Sequence, residues 1–266
     1  MKIIVCLKQV PDTNEIKIDP KTGTLIRDGV PSIINPDDLN ALEEALRLKD
    51  DRADNDQLTE VIVISMGPPQ AKEALNEALT IGADRAILIS DRAFAGADTW
   101  ATSAVLARAI EKLAPYDLIL CGRQAIDGDT AQVGPQIAER LNLPQVTYAK
   151  KLQLLEGKVQ VERALENGSY LMETALPLLV TAIKELNLPR YSSAERIFKF
   201  YRQNYVEMWT QIELKVEESQ IGLKGSPTQV HRSFTPDAKA PGVMLKGSTQ
   251  EVCAQLGSKL KEVGII

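Results

Sequence analysis

The sequence predicts an α/β protein: a doubly wound parallel sheet with a small antiparallel addition and an extended C-terminal arm. Three observations lead to this prediction. Short apolar runs alternate with helical periodicity over residues 1–145. After Ala149, two alternating segments around a Glu156-Gly157 turn indicate an antiparallel hairpin. Beyond Lys199 the chain loses strong periodicity until a final amphipathic helix.

The apolar runs are continuous, as strands covered on both faces require. They occupy residues 3–7, 61–65, 86–89 and 118–121. Apolar residues spaced by three and four predict helices between and after these runs, around Leu42, Leu75, Ile110 and Ile137. In a sheet of this kind, ligands bind beyond the carboxyl ends of the strands.

The rest of the chain predicts a hairpin, one more strand and an arm. The hairpin covers residues 151–162, and residues 176–182 form a further buried strand. We therefore expect an α/β domain at residues 1–198 and an arm at residues 199–266, ending in a helix around Leu256. An arm with so little core of its own is expected to pack on a partner or on its own domain.

Composition excludes several functional classes. The 266 residues are 44% hydrophobic and 25% charged, with a formal net charge of −5 and no basic run, which argues against nucleic-acid binding. No apolar run reaches membrane-spanning length, and the N-terminus lacks a signal-peptide core. We expect a cytoplasmic protein without membrane insertion.

Cysteine and histidine usage indicates neither a metal site nor a disulfide framework. The chain has three cysteines and no C-x-x-C pair. Cys6 and Cys121 end apolar runs and are expected to be buried small side chains. The one histidine, His231, lies in a polar stretch and is expected at the surface. No side chain stands out as a nucleophile or general base.

The most informative segment is residues 122–135, which follow the fourth apolar run and open a helix. Asp129 or Thr130 is a candidate N-cap. The free N–H groups of residues 130–132 would then face a phosphate. A capped helix without any ligand fits the same spacing. Neither G-x-G-x-x-G nor a P-loop is present.

Further residues complete a predicted nucleotide crevice. Gly128 and Gly134 permit close approach of backbone or ligand, and Arg123 is a candidate phosphate contact. Asp98 or Thr99 is positioned to cap the helix after the third apolar run. The segments that follow a predicted strand or open a helix are residues 8–12, 35–38, 66–69 and 90–99. Together they favour a mononucleotide or dinucleotide site.

Motifs along nearly the whole chain carry a resemblance to a known family. They are, in order, Val10-Pro11-Asp12, Arg27-Asp28-Gly29-Val30, Asn35-Pro36, residues 122–129, Glu162-Arg163 with Leu176-Pro177, and Asn187-Leu188-Pro189-Arg190-Tyr191. Together they resemble the β subunit of electron-transferring flavoproteins. The resemblance implies an α/β core of the adenine-nucleotide-binding type that clasps an FAD-carrying α subunit.

The family has two branches, which differ in the nucleotide held by the β subunit. The simple branch holds AMP there, whereas the electron-bifurcating branch holds a second FAD that takes hydride from NADH. This chain resembles the bifurcating branch in residues 128–134, 91–99 and 225–230, because small residues near the phosphates leave room for a dinucleotide. That branch implies ferredoxin or flavodoxin and an acyl-CoA-dehydrogenase-type enzyme as partners.

The resemblance also implies which residues bind the cofactor. The FAD-binding positions are Cys6, Asn35, Pro36, Asp37, Asp38, Met66 and Gly67, with Asp98 and Thr99 near the flavin, and with Arg123, Gln124, Ala125, Ile126, Asp127, Gly128, Asp129, Thr130, Ala131, Gln132, Val133 and Gly134 around the adenosine diphosphate part. It implies that residues 199–266 pack on the α subunit. One departure concerns docking: after Tyr191 the family usually has a large aliphatic residue, and this chain has Ser192-Ser193-Ala194.

Overall fold

The computed structural model describes residues 1–12, 31–54, 57–200, 202–231 and 241–266, so the motif at residues 27–30 lies outside the described residues. The described strands are β1 (Lys2–Cys6), β2 (Gln9–Pro11), β3 (Ser32–Ile34), β4 (Glu60–Met66), β5 (Arg85–Ile89), β6 (Leu118–Gly122), β7 (Gln145–Leu155), β8 (Lys158–Leu165), β9 (Gly168–Ala175), β10 (Leu178–Ala182) and β11 (Val206–Trp209). The described helices are α1 (Pro36–Ala53), α2 (Lys72–Ile81), α3 (Thr99–Lys112), α4 (Val133–Arg140), α5 (Ala194–Phe200), α6 (Gln211–Leu214) and α7 (Thr249–Glu262).

One large sheet organises the described residues up to His231. Its strand order is β11-β5-β4-β1-β6-β10-β7-β8-β9. All neighbours from β11 to β7 pair in parallel, while β7, β8 and β9 pair antiparallel. A separate antiparallel pair joins β2 to β3, with Gln9 opposite Ile34. The predicted fold class, a parallel α/β sheet with an antiparallel addition, is confirmed.

The central strand β1 shows why its run must be apolar throughout. Ile3 and Val5 pack in one core with α1 and α2, whereas Ile4 and Cys6 pack in a second core with α3 and α4. Since successive side chains of a strand point to opposite faces, both faces need apolar residues. Burying each side chain of this size contributes about 1.5–3 kcal/mol.

The arm predicted at residues 199–266 is divided between two units. Strand β11 pairs with β5 at one edge of the large sheet, with Trp209 opposite Ile89. The described residues up to His231 form one compact unit and residues 241–266 another. The first part of the predicted arm therefore belongs to the α/β unit. In the second unit, α7 confirms the predicted final helix, and none of its residues is buried.

Candidate functional site

The candidate site lies where the strand order reverses. Strands β1 and β6 are adjacent and in register, with Cys6 opposite Cys121. From β1 the chain continues outward to β4 and β5, while β6 is followed by β10 on the other side. The segments that leave β1 and β6 therefore diverge and open a crevice at their carboxyl ends, which is where parallel sheets bind ligands.

Asn35 ties three segments together at this crevice. Its side chain is fully buried, and its backbone N–H donates to the Lys8 carbonyl at 2.9 Å. The side-chain Nδ2 donates to the Gln124 carbonyl at 2.9 Å, and Oδ1 accepts from the Ile126 N–H at 3.1 Å. Asn35 thus fixes the loop after β6 against the loop after β1. No local sequence signal indicates this contact across about 90 residues.

Asp38, in the first turn of α1, holds the two strand ends. One carboxylate oxygen accepts from the Lys8 N–H and the other from the Gly122 N–H, both at 2.8 Å. Burial raises the pKa of Asp38 to about 7, against the effect of these two hydrogen bonds. Because both oxygens are engaged, Asp38 fixes the backbone at the ends of β1 and β6.

Asp37 and Arg123 form an unsatisfied pair beside this frame. The Arg123 Nε lies 3.4 Å from the Asp37 Oδ2, yet neither atom makes a hydrogen bond within the described residues, although both are removed from solvent. Burial raises the pKa of Asp37, and the Arg123 charge opposes that rise. Buried polar atoms that lack hydrogen bonds are rare in folded proteins, so this ion pair leaves hydrogen-bonding capacity unused. The nearby Lys8 and Asp127 satisfy each other at 2.6 Å.

The loop after β6 differs from the prediction at its helix start. Helix α4 begins at Val133 with Gln132 as N-cap and no side-chain cap, so the prediction of Asp129 or Thr130 as N-cap is wrong. Asp129 and Ala131 have positive φ values of 52° and 53°, which bend the chain out of helical geometry before residue 133. The Asp129 carboxylate instead accepts a hydrogen bond from the Gln124 side chain.

The two glycines of this loop have different surroundings. A Cβ at Gly134 would lie 2.8 Å from the Thr181 Cγ2 and 2.9 Å from the Cys121 Sγ, so this glycine allows α4 to pack on the sheet. A Cβ at Gly128 would meet no atom within 4 Å. Gly128 also does not have a positive φ. The Cβ position of Gly128 therefore faces open space, whereas that of Gly134 is occupied by neighbouring side chains.

Asp98 and Thr99 form a second group at the same edge of the sheet. Asp98 caps α3 by accepting from the Ala101 N–H at 3.0 Å, which confirms one of the two predicted caps. It also accepts from the N–H and hydroxyl of Thr228, at 3.0 and 2.7 Å. Slight desolvation acts to raise the pKa of Asp98, but the hydrogen bonds from Ala101 and Thr228 outweigh it and hold this pKa below its usual value. The Thr99 hydroxyl lies 2.8 Å from the Gln132 side-chain oxygen, which links this group to the loop before α4.

The remaining predicted positions take less part in these networks. Cys6 and Cys121 are buried, as predicted, and burial raises the pKa of Cys6 to about 12, so its thiol is neutral. Met66 ends β4 and Gly67 follows it, and the Gly67 N–H donates to the Ile89 carbonyl at 3.1 Å. His231 is exposed, as predicted.

Two further features concern metals and membranes. Within the described residues, no group of three or more His, Cys, Asp or Glu side chains is arranged to hold a metal ion. Among the described helices, none combines the length and apolar character that crossing a membrane requires.

Comparison with known proteins identifies the family. A model described as "Electron transfer flavoprotein domain" matches residues 22–198. The caffeyl-CoA reductase-Etf complex subunit CarD of Acetobacterium woodii is 57% identical over the full length of both chains. An electron transfer flavoprotein subunit beta of Clostridium acetobutylicum is 56% identical over 98% of both, and the acryloyl-CoA reductase electron transfer subunit gamma of Anaerotignum propionicum is 45% identical over all of both. The chain therefore belongs to the electron transfer flavoprotein family, and within it to the β subunits.

Proposed function

We propose that this chain is the FAD-binding β subunit of an electron-bifurcating flavoprotein. In this proposal its flavin accepts a hydride from NADH. One electron passes to ferredoxin or flavodoxin, and the other passes through the FAD of an α subunit to an acyl-CoA-dehydrogenase-type enzyme. Two relatives are named as subunits of the caffeyl-CoA reductase-Etf complex and of acryloyl-CoA reductase, which supports an acyl-CoA partner.

One observation supports nucleotide binding above all: the Asp37–Arg123 ion pair lies at the crevice where the strand order reverses, and the Arg123 side chain is 36% exposed beside it. Because the chain itself covers Arg123 Nε, a ligand phosphate would accept hydrogen bonds from the two Nη groups of Arg123, while a ligand hydroxyl would donate to the Asp37 carboxylate. The neighbouring loop offers a place for a phosphate, because Ala131 has positive φ and Gln132 is α-helical. Alternating backbone of this kind points successive N–H groups at an anion.

The open side of Gly128 supports a dinucleotide rather than AMP. With no atom within 4 Å of its Cβ position, the loop leaves space next to the proposed phosphate position. A bound flavin supplies the hydride and single-electron chemistry. The chain's own residues supply position and charge: Asn35 and Asp38 fix the frame, and Asp37 and Arg123 provide polar contacts.

Counting nucleotides in the purified heterodimer tests this proposal. We expect two FAD and no AMP per heterodimer after acid extraction and chromatography. One FAD with one AMP would contradict the proposal and would make this chain an AMP-holding structural subunit of a simple electron carrier.

We further propose that the C-terminal unit packs on the α subunit. Helix α7 has an apolar face that includes Leu256, which is 48% exposed, and it buries no residue. Limited proteolysis of the free chain and of the heterodimer would test this. We expect cleavage after residue 231 in the free chain and protection in the heterodimer; equal resistance in both would contradict partner packing.

A further inference from the structure

The antiparallel end of the sheet carries a cation that the described residues leave unpaired. Arg163 lies on β8, on the side of the strand that also carries the fully buried Val159 and Val161. It is half-buried, and its Nε is removed from solvent without a hydrogen-bond partner. No carboxylate among the described residues forms an ion pair with it. The adjacent Glu162 is engaged elsewhere, by Lys150 at 3.1 Å and by the Ser169 hydroxyl at 2.6 Å.

Leaving such a group unpaired has a cost. Partial burial removes water from the guanidinium, and an unmade hydrogen bond to a charged group destabilises more than one to a neutral group. The Arg163 guanidinium carries five N–H donors and no acceptor. An acceptor supplied from outside the described residues would remove this cost.

Two tyrosines flank Arg163. The Tyr148 ring centroid lies 6.0 Å from the guanidinium carbon, and Tyr170 on β9 is the cross-strand neighbour of Arg163 and is 64% exposed. Tyrosine and arginine are the residue types that most often dominate protein–protein interfaces. We name Tyr148, Arg163 and Tyr170 the Arg163 cluster.

The backbone at Tyr148 is held in an unusual conformation. Tyr148 has a φ of 58° and lies where the pairing of β7 with β10 shifts register. The pairing of β7 with β8 shifts just after it, between Ala149 and Lys151. Its N–H donates to the Thr181 hydroxyl at 3.1 Å, outside the regular ladder. Bulges of this kind re-aim a side chain, and a strained non-glycine residue is retained where the site uses it.

The cluster borders a sheet edge that no other described strand covers. Strand β9 is the last strand in the order, and Leu171 beside Tyr170 is 67% exposed. Exposed apolar edge strands are usually covered in a functional assembly. The charge of Arg163 selects what covers this one, because the covering surface must bring an anion.

We propose that the Arg163 cluster binds an aspartate or glutamate side chain of the flavin-carrying partner subunit. The carboxylate would bind end-on to the two Nη groups of Arg163, since Nε is covered by the chain itself, and the tyrosine rings would exclude water from the pair. The proposal rests on the heterodimer of the proposed function but not on which nucleotide this chain holds.

The test compares Arg163→Met in the heterodimer and in the free chain. The heterodimer dissociation constant, measured by sedimentation on dilution, should rise on the order of 10²-fold, because a partner carboxylate loses its cation. The free chain should unfold at an unchanged or slightly higher urea concentration, because a half-buried unpaired charge has been replaced by an apolar group. Tyr170→Ser should weaken association to a smaller extent.

Lys158→Met is the matched control, since it removes one positive charge from the same strand. Lys158 makes only an exposed ion pair with Glu173, so association should change little. Three results would overturn the proposal: unchanged association of Arg163→Met, equal weakening by Lys158→Met, or equal destabilisation of the free chain and the heterodimer. The last result would mean that the acceptor belongs to this chain. Nucleotide counting is independent of all three readouts.

Discussion

The two edges of the parallel sheet differ in how their polar groups are satisfied. At the amino edge, Asp117 accepts from the Lys2 N–H at 2.7 Å, and Asp84 accepts from the Val61 N–H at 2.8 Å and pairs with Lys49. At the carboxyl edge, Asp37 and Arg123 keep buried atoms without hydrogen bonds. The polar groups of the amino edge are satisfied by this chain's own side chains, whereas hydrogen-bonding capacity stays unused at the carboxyl edge.

Shape alone favours the amino edge over the proposed site. A cavity of about 520 Å³ opens at the amino edge, lined by Met1, Lys2, Leu58, Thr59, Glu60, Asp84, Pro115 and Asp117. Among the described residues, none of these has a buried side-chain polar atom without a partner. Under the proposed function, unused hydrogen-bonding capacity locates the polar ligand site better than cavity volume does.

The largest effect is expected from Asn35→Ala at the carboxyl edge. The substitution leaves the Gln124 carbonyl and the Ile126 N–H without their buried partner. We expect a loss of about 2–5 kcal/mol in the free energy of unfolding, together with loss of bound nucleotide. Urea unfolding and nucleotide counting are the measurements.

Asp117→Ala is the matched control at the amino edge. It removes one acceptor, that of the Lys2 N–H, and should lower stability by about 1–3 kcal/mol while nucleotide content stays unchanged. If both variants lose nucleotide in proportion to stability, the two edges do not differ in function.

The glycines of the loop after β6 separate packing from binding. Gly134→Ala places a Cβ 2.8 Å from the Thr181 Cγ2 and should destabilise the protein by about 1–3 kcal/mol. Gly128→Val adds atoms in open space, so stability should change by less than about 0.5 kcal/mol while flavin absorbance per heterodimer falls. Full flavin retention in Gly128→Val would remove this loop from the site.

Local patterns in the sequence were sufficient for most of the fold. The four continuous apolar runs correspond to β1, β4, β5 and β6. They could be recognised because a strand buried on both faces is apolar at every position instead of alternating with polar residues. Asn35-Pro36 correctly marked the start of α1, since proline suits the first helical position.

Contacts between distant segments could not be predicted in the same way. The position of β10 between β6 and β7, and of β11 beside β5, depends on pairings that local periodicity does not encode. At the site, Asn35 and Asp38 were predicted as cofactor ligands, but their contacts with Gln124 and Gly122 became visible only in the folded chain. The start of α4 differs from the prediction because Asp129 and Ala131 have positive φ values. Aspartate is only moderately enriched in that conformation and alanine carries no signal for it.

A pH dependence is expected from Asp38. Burial raises its pKa from 3.8 to about 7, so between these values the folded chain holds a proton that the unfolded chain has lost. The unfolding free energy therefore falls as pH rises through this window, by on the order of 1 kcal/mol per pH unit. In Asp38→Asn, which resembles the protonated acid, that part of the dependence should disappear.

Urea midpoints from about pH 5 to about pH 8 would measure the difference between the two proteins. Asp37, Glu44 and Glu77 also have pKa values raised by burial, and they titrate in both proteins, so the difference isolates Asp38. Parallel pH profiles would show that Asp38 is ionised in the folded state, held so by the N–H groups of Lys8 and Gly122.

The smallest effect concerns how the segment at residues 222–228 is held at the carboxyl edge. Thr228→Val removes the hydroxyl that donates to Asp98 at 2.7 Å and leaves the N–H bond intact. We expect the local stability of this segment to fall by about 0.5–1.5 kcal/mol, seen as faster amide exchange at residues 226–231.

Thr102→Val is the control, because its hydroxyl makes no hydrogen bond within the described residues. Ser226 also donates to the Gly222 carbonyl and accepts from the Asp98 N–H. Unchanged exchange in Thr228→Val would therefore mean that the Thr228 hydroxyl does not hold this segment, and that the Ser226 bonds and the Thr228 N–H bond to Asp98 are sufficient.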